Sequence, residues 1–165
     1  MIYLFITVFL DILLSSFISS AYQNINILFP LLFASAIPII YQIIKNKKAF
    51  FILIIIISII YDTLFSDIFL VNSYYFILYS LFINRFYQKH YPKVLNIILT
   101  SIIGIILYDT FAFFILILSN YSNFVINDLY YKIIRSILIN FLYVSISLII
   151  LKSRIFGHKK IRKKF

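Results

Sequence analysis

Long apolar runs broken by short polar connections set the pattern of this chain. Six runs read as helices: about Ile2–Ser20, Asn26–Ile44, Ala49–Ser66, Ile68–Tyr87, Val94–Ser119 and Leu129–Leu151. They are continuously apolar rather than alternating, which disfavours a β-barrel. A backbone in hydrocarbon must then close its hydrogen bonds within helices. At about 20 residues per span, six spans occupy residues 1–151 as one transmembrane domain and leave 152–165 as a tail. The expected fold is all-α, a bundle of six transmembrane helices. Pro30 can sit in the opening turn of the second helix, whereas Pro38 removes a donor in mid-helix. The first run has no basic flank and no small-residue cleavage site, so it does not read as a cleaved signal peptide.

Composition agrees with this reading. The chain is 64% hydrophobic and 12% charged, against roughly 45–50% and 25% in soluble domains. With no cysteine, disulfides, thiolate metal sites and cysteine nucleophiles are excluded.

Charge adds orientation. The formal charge of +10 could signal nucleic acid, but its placement points elsewhere. Basic residues fall in alternate connections: Lys45, Lys47 and Lys48; then Arg85, Lys89 and Lys93; then the tail with Lys152, Arg154, Lys159, Lys160, Arg162, Lys163 and Lys164. Thirteen of the fifteen thus share one side of a six-span chain, which puts both termini in the cytoplasm. The exceptions, Lys132 and Arg135, belong to the outer end of the sixth helix. The tail is expected to lie on anionic lipid, with an acidic cytoplasmic partner as the sharper reading. Tyr22, Tyr41, Tyr87, Tyr121, Tyr130 and Tyr131 lie near span ends and read as an interfacial aromatic belt.

The candidate chemistry lies in three acids inside apolar runs. Asp11, Asp62 and Asp109 sit in the first, third and fifth helices, and the tripeptide Tyr-Asp-Thr occurs around both Asp62 and Asp109. Each lies roughly 16–24 Å from the cytoplasmic start of its helix at 1.5 Å per residue. An ionised Asp at the centre of a spanning helix costs about 2.5–3.5 kcal/mol on insertion scales, so each needs an internal partner. Thr7/Asp11/Ser15, Ser58/Asp62/Ser66 and Ser101/Asp109 form stripes at spacings of four or eight. The odd-numbered helices are therefore expected to pack together, with Ser101 and Gly104 allowing close approach. Arg135 and Asn140 in the sixth helix are the expected partners of the acids.

A structural role for these acids outweighs two alternatives. Tyr61-Asp62 is similar to the Tyr-Asp motif of intramembrane aspartyl proteases, in which two carboxylates share a proton. The glycines that family requires before the second Asp are missing, because Ile106-Leu107-Tyr108 precedes Asp109. A carboxylate pair could instead carry a proton or a cationic solute. His90 and His158 lie far from the acids, and neither a zinc motif nor a phosphate loop is present, so no metal or cofactor is expected.

The stretch SIIYDTLFSDIFLVNSYYFILYSLFINRF, the later SIIGIILYDTFAFFILIL, Arg135, Asn140 and the basic tail together resemble the rod shape-determining protein MreD family. Where that family often carries glycine, this chain has Ser58 and Phe69-Leu70-Val71. The resemblance implies a non-enzymatic, multi-pass protein of the bacterial cytoplasmic membrane that acts in cell elongation and peptidoglycan synthesis. Its implied partners are an MreC-type bitopic protein and, directly or through it, the MreB filament, the glycosyltransferase RodA and a class B penicillin-binding protein. The family's fold is similar to the substrate-binding subunits of energy-coupling-factor transporters, which makes a solute-binding subunit the alternative function.

Overall fold

A computed structural model describes residues 2–21, 31–65, 70–86, 92–118 and 126–156. They form six helices and, among the described residues, no strand: α1 (Ile2–Ala21), α2 (Leu32–Ile43), α3 (Lys47–Phe65), α4 (Val71–Phe86), α5 (Lys93–Leu118) and α6 (Ile126–Phe156). Among the described residues, two helices are long and apolar enough to cross a membrane, α5 over Lys93–Ile115 and α6 over Leu129–Lys152. Helix α6 continues through Lys152 and Arg154, which the sequence assigned to the tail. The remaining tail cations, Lys159, Lys160, Arg162, Lys163 and Lys164, lie outside the described residues, as do His90 and His158.

The bundle is built around its shortest helix. At 12 residues, α2 is about 18 Å long at 1.5 Å per residue. Every residue from Leu32 to Tyr41 is buried, and α2 packs on all five other helices. A helix apolar all round belongs in a core, and its small residues Ala34, Ser35 and Ala36 admit close neighbours. Ser101 of α5, for example, donates its hydroxyl to the Ser35 carbonyl at 3.3 Å. Pro38 lies inside α2 and is buried there.

Close packing of odd-numbered helices on one another, as expected, is not found among the described residues, although α1 and α3 touch through the Tyr61–Asp11 hydrogen bond. The close pairs are α1–α2, α3–α4, α5–α6, and α2 or α4 against their other neighbours, and none joins two odd helices. The polar stripe on each odd helix turns toward an even helix instead. Gly104 serves this arrangement at the α4–α5 contact. The Tyr75 hydroxyl donates to its carbonyl, and any Cβ there would run into the Tyr79 ring, whose own hydroxyl donates to the Thr100 carbonyl at 2.6 Å.

An aromatic cluster fills the space between α2, α3, α4 and α5. Phe33 meets Phe76 edge-on with ring centroids 4.7 Å apart, Tyr61 meets Phe76 at 5.4 Å, and Phe76 stacks on Tyr108 at 6.1 Å. Such pairs contribute about 0.5–1.5 kcal/mol each beyond the area they bury. Tyr41, expected in an interfacial belt, is buried and donates to Asn84 Oδ1 at 3.1 Å. Lys47 Nζ donates to the Tyr41 carbonyl at 2.8 Å and lies 3.3 Å from the centre of its ring, so a cation closes the negative end of α2. Tyr130 and Tyr131 are exposed, whereas Tyr22, Tyr87 and Tyr121 lie outside the described residues.

Leu70 opens α4 with φ 69°, a left-handed conformation that disfavours a side chain, and its carbonyl accepts the Tyr74 amide at 2.9 Å. The side chain is exposed and contributes little packing. Leu70→Gly is therefore expected to stabilise the protein by about 1 kcal/mol. Thermal unfolding in detergent checks this, and a lowered midpoint would contradict it.

Candidate functional site

A helix that starts inside a bundle leaves its first amides without partners. The start of α2 is such a place, and its N-cap residue, Leu31, has no side-chain acceptor to offer. Two other helices supply the acceptors. Asp11 of α1 takes the Leu32 amide on Oδ1 at 3.1 Å and the Phe33 amide on Oδ2 at 3.0 Å. Asn140 of α6 takes the Leu31 amide on Oδ1 at 3.1 Å and the Ser35 hydroxyl at 3.0 Å. Its own amide donates to the Ser136 carbonyl at 2.7 Å, and Tyr61 of α3 adds a long bond, 3.4 Å, to Asp11 Oδ2. Asp11 is 1% exposed and Asn140 is fully buried, so water supplies neither acceptor nor screening.

Asp62 repeats the device one hairpin later. Its Oδ1 accepts the Asn72 amide at 3.1 Å and its Oδ2 the Ser73 amide at 2.6 Å, at the start of α4. A carboxylate here meets both the free amides and the positive end of the helix dipole. Each of these two carboxylates lies on an odd helix and caps the even helix that follows. Asn72 extends the Asp62 cap, since its Oδ1 accepts the Tyr108 hydroxyl at 2.7 Å.

Asp109 does something else. It is fully buried, and its partner is Lys132 of α6, with Nζ 3.6 Å from Oδ1. Neither of its oxygens accepts a hydrogen bond among the described residues. The expected partner was Arg135, so the ion pair is reassigned to Lys132. Helix geometry gives the reason: Lys132, Ser136 and Asn140 recur at four-residue spacing and share one face of α6, from which Arg135 is rotated away. That stripe was readable in the sequence, and only its Asn140 was singled out there.

Ser58 is buried but takes no part in holding Asp62, because its hydroxyl donates to the Ile54 carbonyl of its own helix at 2.6 Å. Thr7 bonds the Tyr143 hydroxyl at 2.6 Å, which in turn donates to Tyr3 at 2.8 Å, a second polar link between α1 and α6. Asp11, Asp62 and Asp109 are thus held separately: two by helix starts and one by an ion pair. Among the described residues no group of three His, Cys, Asp or Glu could hold a metal. Comparison of the chain with protein-family models, with curated proteins and with solved structures finds no match.

Removing a cap leaves two buried amides unsatisfied at about 1–3 kcal/mol each. Asp11→Ala and Asp62→Ala are therefore each expected to cost about 2–6 kcal/mol, measured by unfolding in detergent, with the Asn variants intermediate. The ion pair should behave differently. Asp109→Asn leaves a cation in the bundle without its counter-charge, and the added change Lys132→Met should recover most of the loss. A double-mutant cycle with no coupling between positions 109 and 132 would contradict the pairing.

Proposed function

We propose that this chain is a non-catalytic component of the bacterial cytoplasmic membrane, a six-span bundle with both termini in the cytoplasm, acting in cell elongation. In this reading it belongs with the rod shape-determining MreD type and associates with an MreC-type bitopic protein. Directly or through that partner it serves the MreB filament, RodA and a class B penicillin-binding protein. The observation that supports it best is how the intramembrane acids are used. Both oxygens of Asp11 and of Asp62 are occupied by backbone amides, and Asp109 faces Lys132. Carboxylates engaged in this way hold helices in register and are not free to activate water or to bind a passing cation. The resemblance of the Tyr-Asp-Thr regions and the run of basic residues after Leu151 supports the elongation role and the orientation.

The alternative, a solute-binding subunit of an energy-coupling-factor transporter, needs a polar chamber. Two of the cavities bordered by described residues have walls of a different kind. One is lined by Phe5, Ile52, Ile56 and neighbours, the other by Leu4, Ile40, Leu53, Leu151 and neighbours, with Tyr3 the main polar group.

Depletion separates the two readings. As an elongation component, its loss should turn rods round while uptake of vitamins and metals is unchanged, and an MreC-type protein should co-purify in mild detergent. Loss of uptake with cell shape preserved would overturn this reading in favour of the transporter subunit.

A further inference from the structure

A groove of about 430 Å³ runs between α1 and α3, walled by Phe5 on one side and by Ala49, Ile52, Ile56 and Ile60 on the other. Its wall residues Phe5, Ile52 and Ile56 are more than half exposed. From Ala49 to Ile60 it extends about 16 Å at 1.5 Å per residue, which matches one leaflet of a hydrocarbon core about 30 Å thick. One end is charged. Lys48 is exposed and stands one turn before Ile52 on the same face of α3, and Lys45 is exposed three residues earlier. Lys47 is not available there, being engaged with Tyr41.

We propose that this groove is a binding site for an anionic phospholipid. One acyl chain lies along α3 between Phe5 and Ile56, and the phosphate is held by Lys45 and Lys48. The length of the apolar wall and the position of the two cations both fit a lipid of the cytoplasmic leaflet. A partner's spanning helix would continue past Ile60 through the second leaflet and would gain nothing from two lysines at one end. The proposal rests on the membrane orientation given above.

The chain contains no tryptophan, so a single reporter can be introduced. Phe5→Trp puts one on the groove wall, and Ile149→Trp puts one on the exposed face of α6 close to its basic end. Each variant is reconstituted in phosphatidylcholine vesicles containing a minor fraction of either dibrominated phosphatidylglycerol or dibrominated phosphatidylcholine, and fluorescence quenching gives the relative binding constant. With each lysine near the surface contributing about a fivefold factor, the Phe5→Trp reporter should favour phosphatidylglycerol by roughly 25-fold. The change Lys45→Gln with Lys48→Gln should abolish that preference at the Phe5→Trp reporter, while any preference seen by the Ile149→Trp reporter, which lies beside Lys152 and the basic tail, should be unchanged by it. Equal quenching of the Phe5→Trp reporter by the two lipids would overturn the site and leave an ordinary lipid-facing surface. Protection from both lipids, with Ile149→Trp still quenched, would also overturn it and assign the groove to a protein. Protection of both reporters would instead remove the membrane reading itself.

Discussion

The start of α2 is the constraint on which the rest of the bundle depends. Three successive amides, of Leu31, Leu32 and Phe33, point into a region where no water can reach them, and an unpaired donor there costs about 1–3 kcal/mol. The acceptors come from Asp11 and Asn140, so the first and last helices are both tied to the beginning of the second. Polar atoms thus set the axial position of three helices, while the apolar surface of α2 supplies the burial. Dispersion alone would let apolar helices slide, because one aliphatic row packs much like the next. A carboxylate that must meet two particular amides does not allow this.

The same solution at α4 indicates a rule of construction. A helix usually carries its own cap just before its first turn. Here Leu31 and Leu70 occupy those positions and have no oxygen in their side chains. Each cap has moved to the preceding odd helix, which converts a local feature into a contact between helices. The third hairpin departs from the rule for a geometric reason. Helix α6 has 31 residues and begins at Ile126, more than a turn before Lys132, so Asp109 faces the side of a continuous helix rather than its end. No free amides are offered there, and the charge is met by an ammonium instead.

Much of this was legible in the sequence, but not the identity of the partners. Acids at 11, 62 and 109 inside apolar runs announce buried polar contacts from composition alone, and the structure describes six helices from the six runs. A search for partners among side chains leads to Arg135, because backbone amides carry no mark in the sequence. They become available only where a helix begins in the interior, which depends on where α2 and α4 start. The runs around Pro30 and Phe69 blur both starts, since they stay apolar through the connection. The odd-to-odd packing expectation failed for a related reason: a polar stripe shows which face seeks a partner, not which helix provides it. The Lys132, Ser136 and Asn140 stripe was open to the same periodic reading, but it stands in a helix whose first turns are polar in any case.

The three hairpins differ in how far their polar contacts can be rearranged. A carboxylate held by two amides of a helix start can leave only if that helix shifts, and α2 shifts only if the whole core does. Asp109 is paired with Lys132, whose side chain is 29% exposed, so that pair reaches toward the surface while the two caps do not. Ser136, beside it on the same face, is buried, and its hydroxyl makes no hydrogen bond among the described residues. Among the described residues, unused polar capacity is found at Asp109 and Ser136 between α5 and α6, and at the start of α4, where the Ser73 hydroxyl has no partner. The caps and the aromatic cluster draw on all six helices, since Asn140 of α6 and Tyr108 of α5 take part in them. The joint between α5 and α6 is closed by an ion pair between side chains, which can change rotamer without either helix moving.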